Sequence, residues 1–258
     1  MIPKIIHYCW FGNKPMSILE LNCIQTWRKV LPDYEIKLWN ENNFDYSKYS
    51  FSLGAYNLGK YAFVADVCRL HALYKEGGIY LDTDMLLLKD LNDFIGFDLF
   101  FGEEKEGLIS AGIIGSIKNN SVLADLLNQY KQMKYDFKSP MDIPSFLTSN
   151  LERGRVKVFP KEFFYPLPFA QKGRDYRPFV KPQTYAIHLW NHSWKSEWSH
   201  LHDKNFSKAL RLFLDRISSN PKSIWKDSFP LDFMKYFMAH KFTWLYDRYK
   251  SHSNKKGI

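Results

Sequence analysis

The chain has 258 residues, 45% of them hydrophobic and 24% charged, which excludes a disordered polymer and allows one large domain plus an appendage. Its 36 Lys and Arg against 27 acids leave a charge of +9. Eight Lys/Arg less three Asp place +5 of it in residues 220–258, so nucleic acid or an anionic membrane could meet the tail, whereas the body is only mildly basic. Three cysteines, Cys9, Cys23 and Cys68, make neither a disulfide framework nor a metal-site spacing and fit a reducing cytosol.

Lys4 to Phe11 is a short apolar run ending at Gly12, a buried strand by pattern and too short for a signal peptide. Ser17 with Glu20 three residues on forms a capping box for a helix through Val30. Tyr34 to Trp39 alternates as a strand, and Tyr56 to Lys75 reads as one long helix ended by Gly77-Gly78. Ile79-Tyr80-Leu81 then enters a strand that terminates in Asp82-Thr83-Asp84. Strands at Leu99 to Gly102 and Ile109 to Ile117 and a helix from Ser121 to Tyr135 complete a β-α-β-α-β order, which predicts a mostly parallel sheet flanked by helices. Met85 to Phe101 contains Lys89, Asp90, Asp93 and Asp98, so no membrane span is expected.

After Lys138, repeated prolines break the pattern, leaving strands at Val156 to Phe159 and Tyr185 to Trp190. Helices follow at Asn205 to Ser218 and Leu231 to Lys250. Residues 1–219 are read as the main α/β domain, with ligand binding mainly in 1–120. Residues 220–258 are read as a basic, aromatic helical extension.

The strongest chemical signal is Gly77 to Asp84. Two glycines permit a sharp turn into a buried strand, and two carboxylates stand where it ends, at the sheet edge where open α/β folds place ligands. On a regular strand, residues two apart point to the same side. A hard cation such as Mg²⁺ or Mn²⁺ takes one or two carboxylates plus substrate phosphates. Asp66 and Arg69 sit three apart on the preceding helix, either as a surface ion pair or facing the same cleft and binding hydroxyls or phosphate.

Ile2 to Gly12, Phe63 to Arg69 and Gly77 to Asp84, in this order and spacing, resemble the sugar-binding region of D-x-D glycosyltransferases. These include family 32, with its bacterial capsule enzymes, and the clostridial glucosylating toxins. The resemblance covers residues 2 to 120, with a weaker echo at 185 to 198. It implies a GT-A, Rossmann-like fold that binds a UDP- or GDP-linked sugar with Mn²⁺ or Mg²⁺ bridging the diphosphate. Trp10 would stack on the base. Asp66 and Arg69 would contact the donor sugar and phosphate, Asp84 would ligate the metal directly, and Asp82 would reach the sugar and the metal. His188-Leu189-Trp190-Asn191-His192-Ser193-Trp194 would close the site, with His188 or His192 as ligand and Ser193 or Trp194 on a phosphate oxygen.

The resemblance further implies a retaining hexosyltransferase in capsular or surface-polysaccharide assembly, with a polyprenyl-diphosphate-linked saccharide acceptor. A cytoplasmic enzyme held peripherally at the membrane by its C-terminal helix is expected, and no nucleic-acid partner, since no recognition motif accompanies the charge. The alternative is a catalytically inactive GT-A protein that binds a nucleotide-sugar without turnover.

Overall fold

The computed structural model describes residues 1–136, 139–191, 201, 204–219 and 229–241. The chain divides into two compact units, Met1–Asn191 and His192–Ile258.

In the first unit, β1 (Ile5–Cys9), β2 (Glu35–Trp39), β3 (Gly78–Leu81), β5 (Leu99–Lys105), β6 (Leu108–Ser116) and β7 (Lys157–Phe159) form one sheet in the order β2-β1-β3-β6-β5-β7. The pairs β2–β1, β1–β3 and β5–β7 are parallel, and β6 is antiparallel to both its neighbours. Five strands therefore run one way and β6 alone runs back, which is the mostly parallel sheet the β-α-β order predicts. Strands β4 (Met85–Leu87) and β8 (Ala186–His188) pair antiparallel beside it.

Both faces of the sheet are covered, which is why β3 and β6 read as continuous apolar runs rather than alternating ones. On one face Tyr80, Ala111 and Ile114 meet α3 (Tyr61–Glu76), α4 (Ser121–Gln132) and α5 (Ile143–Asn150) in one core. On the other, Ile79, Leu81 and Ile113 pack with Ile24 and Trp27 of α1 (Ile18–Val30) and with the β4–β8 layer. The Ser17/Glu20 capping box is present.

The single helix expected over 56–75 is two: α2 (Ser50–Asn57) and α3, separated at 58–60, where Gly59 takes φ +66°. A left-handed residue cannot continue a right-handed helix, and an apolar pattern running through it conceals the break. The Gly77-Gly78 turn behaves as the sequence requires. Both residues have positive φ, and a Cβ on Gly78 would lie 2.6 Å from the Ile5 carbonyl oxygen. His7 pins this turn to β1. Trp39 Nε1–H donates to its Nδ1 at 2.9 Å, leaving Nε2–H to donate to the Gly77 carbonyl at 2.7 Å. Burial keeps that imidazole below its ordinary pKa and neutral.

In the second unit, helices α6 (Phe206–Ser219) and α7 (Phe229–Lys241) share a small aromatic core. Phe233 and Phe237 lie against Phe206 at centroid distances of 5.9 and 5.3 Å. Among the described residues, no helix is long and apolar enough to cross a membrane.

Candidate active site

The chain turns at the end of β3. Asp82 N–H still donates to the Gly112 carbonyl of β6 at 2.8 Å, and Met85 N–H closes the turn onto the Asp82 carbonyl at 2.9 Å. Asp82 and Asp84 therefore flank a turn between β3 and β4, rather than lying on one strand with a shared face. They converge all the same, because β8 brings His188 opposite Met85. Ligand atoms of Asp82, Asp84 and His188 all lie within 4.8 Å of one another, a cluster that can hold a metal ion. Two carboxylates and an imidazole suit a divalent cation.

The cluster is held from several directions. Asp84 is buried. Its Oδ1 is 3.1 Å from His188 Nε2, and its Oδ2 accepts the Asn191 N–H at 2.7 Å. Burial alone would push the Asp84 carboxyl up, but His188 and the Asn191 N–H outweigh it and hold it below the ordinary value. Burial likewise opposes a charged His188, yet Asp84 and then Asp82 raise its pKa on balance. His188 Nδ1 is buried, with no hydrogen-bond partner among the described residues. Trp190 adopts φ +58°, rare for a bulky residue, and that turn aims the following Asn191 N–H at Asp84.

Asp66 and Arg69 are not a surface pair. They are 6% and 5% exposed, with Arg69 Nη2 donating to Asp66 Oδ1 at 2.9 Å. Arg69 Nη1 donates to Asp82 Oδ1 at 3.0 Å and to the Ala111 carbonyl at 2.8 Å, and Nε to the Ala65 carbonyl at 3.3 Å. Among the described residues these bonds take four of the five guanidinium N–H donors. The arginine fixes Asp82 from the helix side, while Tyr80 Oη–H donates to the same Oδ1 at 2.9 Å. Burial pushes the Asp66 carboxyl up to about 7, with Arg69 opposing the rise.

Trp10 follows β1 and is half-buried rather than a core residue. Its indole N–H donates to the Lys14 carbonyl at 2.7 Å. His192, Ser193 and Trp194 lie outside the described residues.

Sequence reasoning missed two supports. Glu20, 1% exposed, does more than cap α1. One oxygen accepts from Ser17 N–H and the other from Asn191 Nδ2, so the cap is tied to the residue that binds Asp84. Tyr165 donates no sequence signal at all, yet its Oη accepts the Ile113 N–H at 2.9 Å. A Cβ on Gly112 would meet that oxygen at 3.0 Å and Asp82 Oδ2 at 3.3 Å. A side chain there would press on both the carboxylate and the phenol.

A largely parallel sheet with one reversed strand, presenting an aspartate pair at the end of β3, defines the class: a Rossmann-like α/β domain. Residues 18–101 match the family described as a glycosyltransferase sugar-binding region containing a DXD motif. The matched stretch contains Asp66, Arg69, Asp82 and Asp84. It is 30% identical over 169 residues to mouse (Mus musculus) lactosylceramide 4-alpha-galactosyltransferase, covering 57% of this chain and 45% of that one. It is 30% identical over 146 residues to inositol phosphoceramide mannosyltransferase 3 of Schizosaccharomyces pombe, covering 54% and 40%. The chain spans less than half the length of either relative. Among solved structures it is similar to the PaToxG glycosyltransferase, with a TM-score of 0.48 and 21% identity over 59% of this chain and 69% of that chain.

Proposed function

We propose that the protein is a retaining, metal-dependent glycosyltransferase that moves a hexose from a UDP- or GDP-linked donor to a lipid-linked saccharide, in capsular or surface-polysaccharide assembly. The observation that carries this reading is the meeting of Asp82, Asp84 and His188 beside the buried Arg69.

Trp10 offers its ring to the base. Arg69 holds Asp82 in place and keeps one N–H for the donor phosphate or sugar, and Asp66 accepts from a donor hydroxyl. Asp82, Asp84 and His188 would hold the cation, and the imidazole favours Mn²⁺ over Mg²⁺. When bound, the ion neutralises charge on the departing diphosphate. In the transfer, the bond from the anomeric carbon to the phosphate oxygen breaks and one to the acceptor oxygen forms. The acceptor's hydroxyl proton passes to the released diphosphate, so no dedicated carboxylate base is required. One relative forms a 4-alpha linkage by its name, in line with an α-linked product from an α-linked donor.

Incubation with UDP-galactose or GDP-mannose and Mn²⁺ tests the reading. Release of UDP or GDP that stops in excess chelator is expected. A donor that raises the melting temperature without turnover would make the protein an inactive nucleotide-sugar binder.

The membrane part of the proposal rests on α7. With Phe233 and Phe237 engaged on Phe206, the residues that face lipid are the exposed Leu231 and Met234, beside the exposed Lys235 and Lys241. Apolar side chains among lysines suit an anionic headgroup boundary. Salt-sensitive co-sedimentation with phosphatidylglycerol vesicles, weakened in a Leu231→Ser/Met234→Ser variant, is expected. Equal sedimentation with phosphatidylcholine vesicles would refute it.

A further inference from the structure

A second concavity adjoins the metal-ligand cluster. A cavity of about 300 Å³ is lined by Glu104, Tyr165, Phe169 and Trp190, with Lys105 and Lys161 also on its wall. Its walls touch the cluster. The Trp190 ring lies 4.0 Å from the His188 ring, and the Tyr165 ring 5.7 Å. The Tyr165 oxygen also closes over Gly112 together with Asp82 Oδ2.

Sheet order gives the cavity its place along a bound donor. Trp10 stands at the end of β1, the aspartate pair at the end of neighbouring β3, and Glu104 on β5, beyond β6. A nucleotide-sugar with its base at Trp10 and its diphosphate at Asp82 and Asp84 leaves the β5 side to whatever approaches the sugar from the other end.

Glu104 is aimed by a local irregularity. The β5–β6 register shifts between Glu103 and Lys105, so Glu104 is the unpaired residue of a bulge. A bulge bends a strand and re-aims a side chain, and bulges concentrate near active sites. Its carboxyl is pushed up by burial and partly held back by a hydrogen bond from Ser110. An acidic side chain drawn into a cavity walled by Tyr165, Phe169 and Trp190 is what a sugar ring requires. Its apolar faces lie on aromatic rings, and its hydroxyls donate to a carboxylate.

We propose that this cavity is the acceptor subsite. It holds a pyranose ring of the acceptor saccharide, with Glu104 accepting hydrogen bonds from the ring hydroxyls and the exposed Phe169 packing on an apolar face, while the buried Trp190 backs the wall. This rests on the glycosyltransferase reading given above.

The test is two-substrate kinetics with Mn²⁺, UDP-galactose or GDP-mannose as donor, and octyl β-lactoside, octyl α-mannoside and octyl β-glucoside as acceptor probes. Glu104→Gln and Phe169→Ala are the variants. The first keeps the shape of the side chain and the second alters a ring that is 42% exposed, so both should fold. Loss of a charge-assisted hydrogen bond should raise the acceptor KM about tenfold or more, with the donor KM moving less than about twofold. A donor KM that rises as much as the acceptor KM would assign the cavity to the donor and overturn the proposal. Donor hydrolysis without transfer to any of the three glycosides would also overturn it. Absence of donor hydrolysis in the wild type would instead defeat the glycosyltransferase reading itself.

Discussion

Replacing Asp84 by asparagine separates the metal site from the fold more cleanly than any other single change. Alanine would strip two partners at once, leaving the His188 ring and the Asn191 N–H buried and unpaired. Breaking a buried pair in that way costs about 3–5 kcal/mol. Asparagine can still accept the Asn191 N–H through its own oxygen and present its amide to a neutral His188. The loss is then a charge-assisted hydrogen bond, worth about 1.5–3 kcal/mol, offset by no longer burying a carboxylate. A net destabilisation of about 1–2 kcal/mol should lower the melting temperature by about 2–8 °C for a unit of this size. Metal binding should suffer far more, because an amide keeps the shape but not the charge that holds a hard cation. A rise of about hundredfold in the Mn²⁺ Kd, near 2.7 kcal/mol, is expected by titration calorimetry, with donor turnover lost. Wild-type Mn²⁺ affinity in a folded Asp84→Asn protein would refute the assignment of Asp84 as a ligand.

Trp10→Ala should raise the donor KM by about tenfold with little change in kcat, since a base contact remote from the reacting carbon is uniform binding. A lowered melting temperature with normal KM would make Trp10 a packing residue. Gly112→Ala should reduce turnover while leaving the far-ultraviolet circular dichroism unchanged, because the new methyl crowds Asp82 Oδ2 and the Tyr165 oxygen; full activity would deny the closeness of that packing. Burial raises the Asp66 carboxyl from 3.8 to about 7. Its stabilising contribution is therefore complete below pH 3.8 and is lost as pH rises through about 7. Donor kcat/KM should fall as pH drops below about 7, and the fall should vanish in Asp66→Asn; an unchanged acid limb in that variant would place the titrating group elsewhere.

The aspartate turn was legible because it is written in short-range chemistry. The glycine pair must turn, the strand must be buried, and the aspartates must follow it. The pairing of Asp66 with Arg69 was equally plain, but their burial was not, since helical spacing cannot tell a shoulder from a cleft. The shared direction of Asp82 and Asp84 was expected from strand alternation and arises instead from a turn, whose closing bond from Met85 N–H has no sequence signature. Glu104 was silent for a different reason: a bulge is a property of two strands in register. Tyr165 lies in a proline-rich stretch without periodicity, so its contact with Ile113 could emerge only from the fold.

The bonds that complete the metal-ligand cluster span great lengths of chain. Asp84 reaches residues 104 and 107 positions away, and Glu20 reaches Asn191 across 171. Such closures form late, after the intervening loops have surrendered their entropy. The segment 18–101 that matches the sugar-binding family therefore leaves the ribosome without the completed cluster. Its aspartates stay without their histidine until β8 has been made and has paired with β4, so competence for metal is conferred only when nearly the whole of Met1–Asn191 has folded.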